Sequence, residues 1–496
     1  MHASTTTPAP TPCFAAWQSW LAPLGHSTAA TFRGLRQLTL AQIEGRLGAA
    51  FPAAWLAQNS KAEHSRERIF TQARTVWCWF WQVFQAHTSC REVVRQVQAL
   101  FAAQGAGHVD AGTAGYCQAR GKLPLALLQK LLQATFASAE RAAPSSARPL
   151  LGSRPLRVID ASGARLPDTK PNRALYPPSS NLPAGTGFPY LRMAALFSLH
   201  SGALLAQATG SLLTGELRLF LQLLPHLHPG DILLGDRAYG HYLVAALLQA
   251  AGVDLISTVS RTRKVDFRRA HQRLGPNDAL FRWQKGKTVV LDAAAWAEVP
   301  KELTVRLLRV HLHRPGFRAQ SFILVTTLLD PVAYPAHQLV EAYTRRWRLE
   351  MSFDDLKTTL GMESLRGQKP AQVQKELLVF LTAHNLVRWL MATAASDQGV
   401  ALESISFKGA LDSFRQWSQA LAQCRRPRER AALWQQLLAT LAADILPFRP
   451  GRTEPRAVKK RSKYPHLTQP RRQAIDRWSR TKRRRMAGVA KRNARP

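Results

Sequence analysis

YTRRWRLEMSFDDLK, residues 343–357, is the stretch that decides how this chain is read. It holds neither Gly nor Pro, and Ala, Leu, Arg and Glu dominate residues 338–360, so the composition predicts a helix. Each helical residue advances about 100°. With Tyr343 at zero, Arg346, Glu350 and Lys357 fall at roughly −60°, −20° and −40°. One face therefore carries a phenol, a guanidinium, a carboxylate and an ammonium. Leu349, Phe353, Leu356 and Leu360 lie on the flank expected to pack inward. By itself a carboxylate between two cations reads best as a solvated ion-pair stripe. The reading changes only if carboxylates elsewhere are placed to meet Glu350.

Working outward, the 496 residues suffice for two to four domains with a sizeable core. The net charge is +37, a value that fits a polyanionic partner, most often nucleic acid. A coat protein of nucleic acid would need that charge but no internal acidic constellation. The five cysteines (Cys13, Cys78, Cys90, Cys117, Cys424) form no CxxC pair, so the spacing suggests neither a disulfide framework nor a zinc site. Residues 1–20 lack a charged start followed by an apolar run, so no signal peptide is expected. The apolar run 76–84 is too short to span a bilayer, and 377–394 is interrupted by His384, Asn385 and Arg388. No membrane partner is expected, and a reducing cytoplasm fits.

Residues 1–30 begin Thr/Pro/Ala-rich and read as flexible. Helical periodicity follows at 38–47, 65–86 and 90–103, with a second compact unit at 114–137. Trp77, Trp79, Trp81 and Phe84 read as core. Residues 141–155, RAAPSSARPLLGSRP, read as a linker. The texture then changes to strand, strand, strand, helix, strand, helix, strand, with strands at 156–159, 190–199, 203–209, 231–235 and 254–260. That order predicts a mixed α/β sheet with helices on its faces. Residues 261–320 hold 14 Lys/Arg against 5 Asp/Glu, a net of +9, and a hairpin is predicted from 304–311 and 321–328. This β-rich insertion reads as a DNA-contacting element rather than a solvated hairpin. An apolar helix at 373–394 is expected to pack under the sheet, and 400–446 is helical. From 451 to 496 there are 17 Lys/Arg against 2 acidic residues, a net of +15, which suits a tail laid along phosphates.

Asp160 and Asp236 each end an apolar run in this reading. Carboxylates at strand ends sit where open α/β sheets form their sites. Glu350 arrives from a helix. Three carboxylates converging in this way suit two partly hydrated Mg²⁺ ions, which activate an attacking oxygen and stabilise a leaving one in phosphoryl transfer. Without cations such a cluster repels itself, so it makes little sense as mere structure.

Tyr343, Arg346, Glu350 and Lys357, at spacings of three, four and seven, match the YREK signature. The chain thereby resembles the insertion-sequence family four transposases, a branch of the DDE transposases with a ribonuclease-H-like core. Asp236 lies in GDRAY (235–239) and Asp160 in IDASG (159–163), which resemble the family's two aspartate motifs, with Ala161 where Gly or Ser is common. SCREVV (89–94) and YCQAR (116–120) resemble its N-terminal region, and KELLVFLTAHNLVR (375–388) its later helix, with His384 replacing the more frequent Tyr.

The resemblance implies a fold and a set of roles. The expected fold is α/β: a ribonuclease-H-like mixed sheet interrupted by a β-rich insertion, with an all-helical N-terminal domain and a helical C-terminal region. The expected layout is 1–30 flexible; 31–150 helical and DNA-end-binding; 151–262 and 336–395 the two parts of the catalytic core; 263–335 the insertion; 396–448 helical; 449–496 a basic tail. Asp160, Asp236 and Glu350 would be the catalytic metal ligands for two Mg²⁺ ions, with Mn²⁺ able to substitute. Tyr343, Arg346 and Lys357 would hold phosphates. Trp347 either stacks on a base or belongs to the core, and Arg237 either orients a carboxylate or meets a phosphate. The implied chemistry is hydrolysis at transposon ends, then attack of the freed 3′-OH on target DNA in a cut-and-paste reaction. Implied partners are double-stranded DNA, as terminal inverted repeats and target, and a second copy of the chain in a paired-end complex; the implied location is the bacterial cytoplasm, at the nucleoid. Two other readings stand beside it: a non-catalytic DNA-binding protein derived from a transposase, and a nuclease that hydrolyses without strand transfer.

Overall fold

The computed structural model describes residues 69–446 apart from 86–87, 104–106, 146–149, 180–186, 261–262, 287–289, 313–319 and 425; the backbone of 347–351 is described but not its side chains. The expected flexible N-terminus, the helical periodicity before residue 69 and the basic tail lie outside the described residues.

Four helices open the described chain: α1 (Gln72–Phe84), α2 (Cys90–Ala103), α3 (Ala114–Lys122) and α4 (Leu125–Ala142). The Thr71 side chain caps α1 by accepting from the Arg74 N–H. At α2, Ser89 and Glu92 cap each other reciprocally: the Ser89 N–H donates to Glu92 Oε2 (2.5 Å) and the Glu92 N–H to Ser89 Oγ (3.2 Å). Trp77, Trp79 and Phe84 are core residues, as their spacing predicts.

The stretch 141–155 is less loose than its Pro/Ser/Gly content suggests. Helix α4 runs into it as far as Ala142, and Leu151 is fully buried in the main core. Leu151, Gly152 and Ser153 all take positive φ (50°, 70° and 61°), and the Leu151 N–H donates to the Gln338 side chain at 3.0 Å. Burial of one leucine holds a turn whose backbone is otherwise unfavourable for L-residues.

The sheet begins with β1 (Leu156–Arg165), followed by α5 (Lys170–Leu175), β2 (Tyr190–Ser198), β3 (Leu204–Ser211), α6 (Glu216–Leu223), β4 (Ile232–Leu234), α7 (Tyr242–Ala250) and β5 (Asp254–Thr258). Next come β6 (Gln272–Gly275), β7 (Asp278–Gln284), α8 (Ala293–Glu298), β8 (Glu302–Leu312) and β9 (Gln320–Thr326). All nine strands form one sheet in the order β3-β2-β1-β4-β5-β9-β8-β7-β6. Strands β1, β4 and β5 are mutually parallel, whereas β2 pairs antiparallel with both β1 and β3. The β-rich stretch after β5 extends this sheet, because β9 pairs antiparallel with β5. The predicted hairpin is β8–β9.

Strand alternation divides the core between two faces. Val158 and Leu234 point into one cluster, Ile159 and Leu233 into the other. The first cluster is covered by α9 (Ala336–Asp354), α10 (Pro370–Gln398), α11 (Phe407–Gln423) and α12 (Pro427–Ala443), the second by α6 and α7. Helix α10 is long and apolar enough to cross a membrane, but 83% of its most apolar window is buried inside the fold, so it is a core helix. Its Asn385 is fully buried and clasps β3: Leu204 N–H donates to Asn385 Oδ1 (2.7 Å), and Asn385 Nδ2 donates to the Leu204 carbonyl (2.8 Å). His384 stacks on Phe407 (5.2 Å between centroids), and burial pushes its pKa down to about 3, so the ring is neutral filling.

One glycine fixes the loop that follows β4. A Cβ on Gly240 would lie 2.1 Å from the Thr258 carbonyl oxygen, a backbone atom that cannot swing aside. Gly240→Ala must therefore push the 235–240 loop off β5. The expected cost is about 2 kcal/mol, read as a lower midpoint in thermal unfolding; an unchanged midpoint would show that the loop has room to spare.

Candidate active site

The parallel register pairs Val158 with Leu234, where β4 ends. The pairing stops there; Asp160, further along β1, and Asp236, in the turn that follows β4, each lie two residues past its last pair. On β1, alternation gives Asp160 the face of Val158, the α9 side of the sheet. The buried Tyr239 phenol is pushed well up by burial and then by the charges of Glu216, Asp236 and Asp160. The two carboxylates thus act on one group.

Asp160 corrects an expectation. It does not end its strand, because β1 continues to Arg165 through pairing with β2 (Asp160 opposite Ala195, Arg165 opposite Tyr190). What ends there is β1's pairing with β4, and the carboxylate occupies the opening. Asp160 Oδ1 accepts the Ala161 N–H (2.8 Å). Asp236 sits in a turn: its Oδ1 accepts the Ala238 N–H (2.9 Å), and its carbonyl accepts from Tyr239 N–H (3.0 Å) and the Ser257 hydroxyl (2.6 Å). Both carboxylates are half-buried, and Arg237 beside them is exposed.

Helix α9 crosses the sheet over β1, β4 and β5. Tyr343 and Arg346, each 5% exposed, face inward, so this part of the helix is not a solvated stripe. The Tyr343 hydroxyl meets Thr258 Oγ1 at 3.3 Å, at the end of β5, and the Arg346 guanidinium lies 5.3 Å from the Tyr343 ring centroid. Helix pitch puts position 350 between those two around the axis. The side chains of Glu350 and Trp347 are outside the described residues, and among those described no three His, Cys, Asp or Glu side chains form a metal-binding group.

Lys357 departs from the single-face expectation. Helix α9 ends at Asp354, and Asp355–Thr359 is a π-turn in which the Leu360 N–H donates to the Asp355 carbonyl (2.9 Å). The wider turn breaks the 100° pitch, and such turns recur at functional sites. Lys357 lines a polar cleft of about 190 Å³ with Gly163, Arg165, Tyr190, Asp354, Thr358 and Glu363, alongside the part of β1 beyond Asp160.

The groups under this turn carry no mark in the local sequence pattern. Burial raises the Asp355 pKa to about 7, opposed by Arg388 and reinforced by Asp354. Arg388, whose Nε donates to the Ser201 carbonyl (2.9 Å), is pulled down to about 10 by burial. The folded state therefore holds the Asp355 proton more tightly than the unfolded chain does, and stability falls as pH rises from about 4 to about 7. Comparing wild type with Asp355→Asn by unfolding across pH 4–8 should show wild type losing ground over that window and a constant difference above it. A pH-independent difference would contradict this.

Residues 151–386 match the family described as "Transposase DDE domain". Over 314 residues the chain is 28% identical to "Transposase InsG for insertion sequence element IS4" of Escherichia coli (strain K12), covering 62% of this chain and 69% of that protein. A solved structure, the cryo-EM structure of a piggyBac transposase synaptic complex with hairpin DNA, aligns over 87% of this chain and 86% of its own at 10% identity; its TM-score of 0.39 is too low to argue from. Asp160 and Asp236 lie inside the segment that matches this transposase family, and the chain is similar to an insertion-sequence transposase.

Proposed function

We propose that this protein is a transposase that frees a 3′-OH by hydrolysis at the element's terminal inverted repeats and transfers it to target DNA, a cut-and-paste reaction centred on Asp160, Asp236 and Glu350. The observation that carries the reading is the end of the β1–β4 pairing at Val158 and Leu234, two residues before Asp160 and Asp236, under the helix that bears position 350.

An all-carboxylate donor set suits hard cations, so Mg²⁺ fits these residues, two ions being the expected number, and Mn²⁺ should substitute. Bound there, the cations would supply Lewis acidity and an activated oxygen nucleophile. The protein's own part is positional. The Asp236 turn, braced by Ser257 and Ala238, fixes one carboxylate; the β1–β2 ladder fixes the other. Arg346 and Lys357 offer cations to phosphates, with the Tyr343 hydroxyl between Arg346 and β5. Arg237, being exposed, suits a phosphate contact better than the orienting of a carboxylate. Strands β1–β5 correspond to the ribonuclease-H-like core that the family resemblance implies, with β6–β9 as its insertion and the first helices as the end-binding part. The working form is a dimer on paired ends, in the bacterial cytoplasm.

The test is a plasmid carrying the element's ends, incubated with the protein while Mg²⁺ or Mn²⁺ is titrated. Metal-dependent nicking at the ends and 3′ ends joined to target DNA are expected. Binding without cutting would instead favour the non-catalytic DNA-binding reading, for which the net charge of +37 would suffice.

A further inference from the structure

Past Val158, β1 loses β4 as a neighbour and gains another at its far end. The Arg165 N–H donates to the Glu363 carbonyl (2.9 Å) and the Leu365 N–H to the Arg165 carbonyl (3.0 Å), so the segment after the π-turn runs parallel to β1 there, in a bridge between Arg165 and Ser364. Among the described residues no strand pairs with that edge of β1 in between, and the cleft of about 190 Å³ lies at the far end of this opening. Three residues separate Asp160 from Gly163, about 10 Å along a strand.

The lining of the cleft is built around a glycine and two opposed pairs of charges. A Cβ on Gly163 would lie 2.3 Å from the Tyr190 ring, so the ring takes the space of a side chain and forms one wall. Arg165 and Lys357 bring two positive charges, Asp354 and Glu363 two negative ones. The Arg165 guanidinium meets the Glu363 carboxylate at 3.6 Å, and the two side chains are 58% and 66% exposed. The backbone at both residues is tied down while the ion pair faces solvent, so the carboxylate can swing out with no movement of the chain.

We propose that this cleft is a subsite for a DNA phosphate next to the reacting one, with Arg165 as its second cation beside Lys357 and Glu363 as the carboxylate that holds Arg165 until the phosphate displaces it. This rests on the reading of Asp160 as a ligand at the reacting phosphate. While Glu363 stays in place the charges of the lining cancel, and an anion gains little by entering. Once it swings out, two cations face Asp354 alone. An exposed ion pair costs little to break, so carboxylate and phosphate exchange at near balance, and counterion release from DNA tips the exchange. Lys357 alone would hold a phosphate as a point charge; the planar fork of Arg165 adds two parallel N–H donors and fixes its orientation.

The test reads binding, not cutting. Full-length protein is titrated onto a fluorescent duplex carrying the element's end, by anisotropy, across a NaCl series with no divalent metal. Arg165→Ala should bind about threefold or more weakly at fixed salt, and the slope of log affinity against log salt should shrink by about one. Arg165→Lys should keep the slope, because it keeps the charge. Glu363→Gln should bind about twofold to fivefold more tightly, and that gain should vanish in the Arg165→Ala background. Wild-type affinity and slope in Arg165→Ala would overturn the proposal. So would a Glu363→Gln gain of the same size without Arg165, which would make Glu363 a bystander charge. Both side chains are exposed, so neither change removes core contacts. A protein that binds and never cuts still gives the expected pattern, so this result and that of the cleavage assay are independent.

Discussion

Alanine in place of Asp160 or Asp236 should lower DNA cleavage at the element's ends by about 10³-fold or more, a loss of about 4 kcal/mol of transition-state stabilisation. Each aspartate lies two residues past the end of the β1–β4 pairing, and neither is deep in a core cluster. Their removal should therefore leave folding and DNA affinity near wild type. Affinity should even rise slightly, because each change deletes a negative charge near phosphates. Gel-shift binding at fixed salt, run beside a time course of nicking, separates the two quantities. If either variant cuts within about tenfold of wild type, that aspartate has no catalytic role.

The second large effect belongs to Glu376, on the first turns of α10. Its side chain is 4% exposed, and burial raises its pKa against the opposing pull of Arg120. One carboxylate oxygen accepts the N–H groups of Arg366 and Gly367, both at 2.8 Å, and the other lies 3.9 Å from Arg120. Arg120 in turn lies flat over Trp79, 3.9 Å from its ring centroid, and Arg366 Nη1 donates to the Thr88 carbonyl at 2.6 Å. The network ties the first helices to the turn after α9. Glu376→Ala would strand two backbone donors and a largely buried guanidinium. The expected cost is about 3–5 kcal/mol, which corresponds to roughly 5–10 °C in unfolding midpoint. A shift within about 1 °C would mean that Arg120 and the turn find other partners. Glu376→Gln, which keeps an acceptor for the turn, should lose less than the alanine variant.

These residues show which parts of the structure could be read from the chain. The strands before Asp160 and Asp236 were legible because each is an apolar run. The strand and helix order from 156 to 260 was legible because alternation and turn signals agreed. The extent of β1 was not: after Asp160 its sequence is ASGAR, which carries no β signal, and it is strand only because β2 pairs with it as far as Tyr190. The π-turn was equally hidden, since a wide turn has no compositional mark and extrapolating one pitch from Tyr343 to Lys357 assumed its absence. Leu150 and Leu151 were outvoted by the prolines and serines around them, although their burial pins that stretch. Charge was misleading at Tyr343 and Arg346, which look like surface residues and are buried because the helix turns them toward the strand ends. The Glu376 network depends on tertiary approach alone, so no window of sequence contains it.

The most direct test of the carboxylate centre is anomalous diffraction from Mn²⁺ in crystals of the protein bound to the element's end DNA. The expected map has its metal peaks between Asp160 and Asp236, with the Glu350 carboxylate also in contact. Mn²⁺ found elsewhere, or those three side chains too far apart to share it, would contradict the catalytic assignment and leave a basic DNA-binding protein.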